Sequence, residues 1–279
     1  MKIISKLLSY SIIYLLKIIN FIYKKKGILF SNLIVDEIEA NSYLEKIINN
    51  TKINFFCPNG IIEWRINTLL TKEPKTIEWI NKFEGGNINF WDIGSNIGIF
   101  SIYAAIKHKN NIQVKSFEPS TSNLRVLTRN ISINKLHNDI NVVQMPLFDK
   151  DIEFQLMNES RFKEGSALHS FSVNYDYEGK EFLIKNKYNI IGTSIDFLIE
   201  KKILDYPDYV KIDVDGTEHL ILDGAKKLLS SKNKPKEILV ELHEKFETQF
   251  LKVFNLMQEN HYHLIEEKKG QIEYIFKAK

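Results

Sequence analysis

The sequence predicts an α/β protein wound around a mostly parallel sheet, with an antiparallel C-terminal hairpin and a helical N-terminal extension. Three observations point there. From Gly85 onward, short apolar runs alternate with helix-length segments, the pattern of parallel strands joined by crossover helices. The residues just after each apolar run are glycines and carboxylates rather than lysines or arginines. The first 26 residues follow a different pattern, one long apolar stretch edged by lysine.

Taken in order, residues 3–22 are rich in Ile and Leu and are followed by Lys24, Lys25 and Lys26. On a helical wheel of about 100° per residue, Lys2, Ser5, Lys6, Ser9, Lys17, Asn20 and Lys24 share one side. Most of the Ile, Leu and Phe lie opposite, although Ile13 and Leu16 intrude on the polar side and Ser11 on the apolar one. Lys6 and Lys17 interrupt a membrane span, and no small-residue cleavage site marks a secretory signal. Residues 1–26 therefore read as a basic amphipathic helix, lying on an anionic membrane surface or packed on protein. Residues 27–84 read as an irregular α+β preamble whose last part, 75–83, is a helix opened by Glu73-Pro74.

The wound domain occupies 85–279. Strands are expected at 89–93, 114–117, 141–145, 209–214 and 237–242, with a hairpin strand at 153–156. Helices are expected from Ile97 to Lys107, over 121–135, from Ser194 to about Leu204, over 217–229 and over 246–259. Residues 157–180 read as a long polar loop, and 261–267 with 271–277 as a closing hairpin around Gly270.

Composition narrows the function. With 38 Lys+Arg against 35 Asp+Glu the net charge is +3, and 44% hydrophobic with 26% charged residues is an ordinary globular balance. Disorder is excluded, since there is apolar surface enough to offset ordering entropy. So weak a charge, with no basic stripe interleaved with aromatics, argues against nucleic acid as a partner. Cys57 is the single cysteine, so no intrachain disulfide forms and a cytoplasmic setting is expected.

Ligands of open α/β sheets sit at the carboxyl ends of the strands. The clusters there are Asp92-Ile93-Gly94-Ser95-Asn96-Ile97-Gly98, Glu118-Pro119, Leu147-Phe148-Asp149, Asp213-Val214-Asp215-Gly216, and Glu241 with His243. Gly94 permits a sharp turn and Gly98 a close approach. Asn96 stands where a dinucleotide fold needs its middle glycine, which disfavours an NAD-type oxidoreductase. Glu118, at the end of the next strand, suits the two hydroxyls of an adenosine ribose. A glycine turn, a ribose acid and no diphosphate device together point to S-adenosylmethionine.

These residues resemble the FkbM family of S-adenosylmethionine-dependent methyltransferases. The resemblance runs from about residue 73 to residue 243. It rests on Trp91-Asp92-Ile93-Gly94-Ser95-Asn96-Ile97-Gly98, Phe117-Glu118-Pro119, Thr193-Ser194-Ile195-Asp196 and, above all, Lys211-Ile212-Asp213-Val214-Asp215-Gly216-Thr217-Glu218 continuing to Gly224-Ala225. The family more often has Ala at the position of Ser95 and Glu at that of Asp215. The resemblance implies a Rossmann-like class I methyltransferase with a seven-stranded sheet, and usually O-methylation of a hydroxyl. It implies that Asp92, Gly94, Ser95, Asn96 and Gly98 line the methionine end, Glu118 and Pro119 the ribose, and Asp149 the adenine. The family's associations imply a sugar or nucleotide-linked glycan precursor of surface polysaccharide as acceptor.

The alcohol proton needs a base or a metal. Asp213, Asp215, Glu241 and His243 are the candidates for either role, the second with a divalent cation such as Mg²⁺. Spacing leaves both open. Acceptor recognition is expected in the 157–180 loop, at Arg161, Lys163, Gly165, Ser166 and His169, with Tyr175 and Tyr177 available to stack on a sugar ring. Glu218 is expected in the first turn of a helix and His219 at the surface. The rival reading is a non-catalytic, membrane-associated scaffold on the same fold.

Overall fold

The computed structural model describes residues 2–23, 30–48, 51–265 and 270–279. Lys24, Lys25 and Lys26 of the expected basic helix, and positions 266–267 of the closing hairpin, lie outside the described residues. The chain opens with helices α1 (Lys2–Tyr23) and α2 (Phe30–Ala40), a hairpin of β1 (Tyr43–Ile48) and β2 (Thr51–Phe56), and helices α3 (Gly60–Lys72) and α4 (Pro74–Asn81). The first wound half follows as β3 (Ile88–Ile93), α5 (Ile99–Lys107), β4 (Ile112–Phe117), α6 (Thr121–Ile133) and β5 (Ile140–Val143). An antiparallel insertion, β6 (Ile152–Glu159), β7 (His169–Phe171) and β8 (Asn186–Thr193), separates it from the second half. That half contains α7 (Ile195–Glu200), β9 (Tyr209–Ile212), α8 (Glu218–Asp223), α9 (Lys226–Ser230), β10 (Glu237–Glu241), α10 (Glu247–Glu259), β11 (Tyr262–Leu264) and β12 (Glu273–Ala278).

Among the described residues, seven strands form the main sheet in the order β11-β12-β10-β9-β3-β4-β5. β12 runs antiparallel to both neighbours and the pairs from β10 to β5 are parallel. The central strands are apolar runs because both faces are covered: Phe90, Trp91, Val210 and Ile212 are all buried. The expected strand–helix alternation is therefore present, with the crossover between halves falling between β3 and β9.

Three expectations need correction. The preamble is regular rather than irregular. Its β1–β2 hairpin packs on α6, where Asn130 Oδ1 accepts from Phe56 N at 2.7 Å, and Arg129 lies 3.8 Å over the Phe56 ring. The 157–180 loop is partly strand: β6 runs on to Glu159 and pairs along its whole length with β8, which the sequence reading missed. β8 alternates between half-buried and exposed residues and carries Asn and Lys on its open face, so its apolar signal is faint. The helix expected over 217–229 breaks in two. Asp196 N takes the Gly224 carbonyl, and the Asp196 carboxylate caps α9 through Lys227 N and Leu228 N, both at 2.9 Å.

Asn130 ties three elements together, since its Nδ2 also donates to Ile97 O at 2.9 Å. Asn130→Ala would orphan a buried N–H and a buried carbonyl, and is expected to cost roughly 2–4 kcal/mol. Urea denaturation against the wild type measures it.

Candidate functional site

Where β3 ends, Gly94 takes φ 84°, and an ideal Cβ on it would sit 1.8 Å from the Asp213 carbonyl oxygen. The ends of β3 and β9 thus meet backbone to backbone at the switch point of the sheet, and no side chain fits between them. Gly98, also at φ 84°, performs the second close approach, to Leu127 of α6. Between them Asn96 has left-handed backbone (φ 50°) and donates through Nδ2 to Ser166 O at 2.9 Å. Ser95 is buried beneath, with its N–H and hydroxyl on Phe117 O.

Three adjoining hollows open here, and Gly94 lines all of them. The largest, about 110 Å³, is bounded by Arg65, Lys72, Asn96, Glu118, Pro119, Met157, His169, Asp213, Asp215 and Glu241. A second, about 50 Å³, is lined by Glu73, Ser95, Phe100 and Lys211 among others. The third, about 40 Å³, is an apolar slot between Phe117, Pro119, Met145, Pro146, Leu147, Met157 and Ile221.

Glu118 stands at the junction, 4% exposed, accepting from Ser120 N at 2.8 Å. Burial pushes its carboxyl up to about 8, against the opposing pull of the backbone N–H groups of Ser120 and Asn96. Asp213 lies across the hollow, its Oδ2 2.6 Å from the Lys211 ammonium. Burial would raise the Asp213 carboxyl, but Lys211 overrides it and holds the group below its ordinary value. Burial would likewise lower Lys211, yet Asp213, Glu73 and Asp92 hold the ammonium above its usual range. Oxygens of Glu73, Asp213 and Glu241 lie within 4.8 Å of one another. Burial and then the Asp213 charge push the Glu241 carboxyl far above the usual range. His243 faces Glu241 at 3.3 Å and packs on Tyr177, with ring centroids 4.4 Å apart; burial lowers its pKa.

Asp215 turns away from the strand line (φ 61°), and its Oδ2 accepts from Leu168 N at 2.7 Å. Burial, then the Asp213 charge, raises it to about 6. It thereby anchors the 161–168 segment, which Asn123 also holds through Gly165 N and Ser166 O. Gly165 and Ser166 are buried in that segment, and His169 lines the hollow itself.

Four sequence expectations are displaced. Asp92 is fully buried behind the glycine turn, accepting from the Ser101 hydroxyl, and lines none of the hollows; burial raises its carboxyl. Asp149 is exposed, beyond the apolar slot that Met145, Pro146 and Leu147 line. Arg161 and Lys163 point to solvent. His219, expected at the surface, is half-buried: Glu218 stands in the first turn of α8 as expected but is buried there, its Oε1 accepts from Val214 N and Gly216 N, and Gln249 bridges it to His219. The reading missed Arg65, Lys72, Glu73 and Asn123 as part of the rim. Glu73 carried one signal, a carboxylate before Pro74, which looked like a helix start.

The rim fits an adenosine ligand bearing a cation. Along it Asn96 Oδ1, Ser166 Oγ and His169 Nδ1 are buried without partners. Glu118 would hold the ribose hydroxyls, the apolar slot a flat base, and Asn96 with Asp213 the charged end.

A switch-point cleft of this kind, with a glycine turn, a ribose acid and no phosphate loop, defines a Rossmann-like methyltransferase. The Methyltransferase FkbM domain model matches residues 92–264, well over half of the chain, and the chain belongs to that family of S-adenosylmethionine-dependent methyltransferases. This displaces the NAD-type alternative. Among solved structures, the methyltransferase FkbM of Methylobacillus flagellatus KT is similar at 16% identity and a TM-score of 0.47, covering 76% of this chain and 52% of that one. The chain thus spans about half the length of that protein. The precorrin-6y C5,15-methyltransferase of Geobacter metallireducens GS-15 (13%, TM-score 0.41, 74% and 86% covered) and M. jannaschii TYW2 in complex with AdoMet (14%, TM-score 0.41, 84% and 83%) are also similar. No curated protein matches the sequence.

Since Glu118 is protonated below about pH 8 in the free protein, ribose hydroxyls that donate to its carboxylate must displace that proton. Affinity for S-adenosylhomocysteine is therefore expected to rise from pH 6 to 8, by up to about tenfold per unit, and level off above. Calorimetry at several pH values reads this slope; Glu118→Gln is expected to bind weakly and without it.

Proposed function

We propose that the chain methylates a hydroxyl of a small carbohydrate-type acceptor, using S-adenosylmethionine. The observation that carries this reading is the convergence of Glu73, Asp213 and Glu241 on the cofactor rim, with His243 and Tyr177 packed ring against ring beside them. Carboxylates are acceptors for the hydroxyls of a polyol, and an aromatic ring covers its apolar face. Bound, the cofactor would supply an electrophilic methyl group; the protein's contribution is alignment and removal of one proton.

Glu241 is the base in this reading. It borders the hollow, and its raised pKa makes its carboxylate a stronger proton acceptor than Asp213, which Lys211 holds ionised. His243 positions Glu241 and shares its proton. The cation alternative uses the same acids. Lys211 already places an ammonium 2.6 Å from Asp213, so we assign the local positive charge to Lys211 and expect no need for Mg²⁺. We place the reaction in the cytoplasm, on the single cysteine, and in the making of a surface glycan, on the family resemblance.

Incubation with methyl-labelled cofactor and a panel of nucleotide sugars tests the reading. Labelled O-methyl product is expected, with a rate that rises with pH as Glu241 loses its proton and is insensitive to chelator. Glu241→Gln is expected to lower kcat by about 10²–10⁴ while leaving cofactor binding intact. Loss of activity in chelator, restored by Mg²⁺, would hand the acids to a cation. Function that survives Asp213→Ala and Glu241→Gln alike would favour the scaffold.

A further inference from the structure

We propose that α1 lies flat in the headgroup layer of an anionic bilayer and holds the mouth of the cleft at that surface. The helix is 22 residues, about 33 Å long, and none of its apolar stretch is buried by the rest of the described chain. Ile4, Leu7, Leu8, Tyr14, Leu15 and Phe21 each leave more than half of their surface exposed. At about 100° per residue they share one broad face, and a contiguous apolar face of this length is not left in water by a soluble monomer.

What covers it follows from charge. Between Lys2 and Tyr23 there is no acidic residue. Lys6 and Lys17, three turns apart, stand together at the border of the apolar face, both exposed and without an acidic partner among the described residues. A second copy of the helix would bring lysine to lysine. A layer of anionic headgroups above hydrocarbon meets the lysines with negative charge and the apolar face with lipid. Lying flat also keeps both ammonium groups in water, which spanning would not.

The remaining side of α1 is taken by α2, through Asn20 and Ser31. At the other end of α2, Glu39 pairs with Arg125 and Arg129 of α6, and Arg125 pairs in turn with Glu164 at 3.0 Å. Glu164 adjoins Gly165 and Ser166, which close over the cofactor rim. The arm is thus fastened to the same helix and segment that border the cleft. This inference goes beyond the methyl-transfer reading and does not rest on it.

Co-sedimentation of the full chain with lipid vesicles tests it. Binding to phosphatidylcholine vesicles containing about one-third phosphatidylglycerol is expected to exceed binding to phosphatidylcholine alone at least tenfold, and to weaken with salt. Lys6→Glu with Lys17→Glu is expected to weaken it about tenfold, and Leu8→Asp with Leu15→Asp to abolish it. Both double variants alter exposed positions, so unchanged S-adenosylhomocysteine binding reports that they are folded. The proposal is overturned if the chain stays in the supernatant with anionic vesicles, or if the lysine variants bind as the wild type does. It is equally overturned if bound protein resists alkaline carbonate extraction, which marks a span. A dimer broken by the leucine variants, in a chain that ignores vesicles, also overturns it.

Discussion

The buried ammonium of Lys211 is the constraint on which the rim depends. It sits on central strand β9, 1% exposed, with its charge 2.6 Å from Asp213 and 4.9 Å from the centre of the Phe100 ring. An unpaired charge in such a place would be too costly to keep, and so would Asp92, Glu73, Asp213 and Glu241 without a counter-ion. Lys211, with Lys72 on Glu73 at 2.9 Å, therefore permits several acids to share the carboxyl end of the sheet. It also divides them: the acid it touches stays ionised, while Glu241, farther off, is left able to hold and release a proton.

That division maps onto the two ends of the cleft. On the side of β4, Glu118 and the apolar slot offer a diol acceptor and a flat surface, the complement of a nucleoside. On the side of β10, carboxylates and a tilted His–Tyr pair adjoin the remaining space. The segment from Gly165 to His169 bridges the two, held by Asn96, Asn123 and Asp215. Up to Leu168 it is held largely by side chains, Arg65 of α3 among them, and at His169 it enters β7, which pairs with Glu159 of β6.

The sheet was legible because its central strands are buried on both faces, which leaves apolar runs such as Ile238-Leu239-Val240. The glycine turn and Glu118 were legible because backbone approach and strand-end position leave marks in local sequence. Asp149 was misplaced because a two-residue offset past Leu147 is enough to carry a side chain from the slot into solvent. Glu73 and Arg65 were missed because nothing near them in sequence says that the preamble folds back over the rim. Their role exists only in the tertiary structure. β8 was missed because a strand with one wet face carries half the apolar signal of a central one.

The most direct test of the Lys211 account is the stability of Lys211→Met in urea at pH 8 and at pH 5. The Asp213 carboxyl is depressed in the folded protein, so the pair stabilises above the ordinary carboxylate range and is lost only as pH falls below it. Without the ammonium, the crowded acids take up protons instead. The variant is therefore predicted to lose roughly 3–5 kcal/mol at pH 8 and clearly less at pH 5, where those protons are readily bound. An equal loss at both pH values, or none at pH 8, would contradict the claim that this one buried charge holds the acids together.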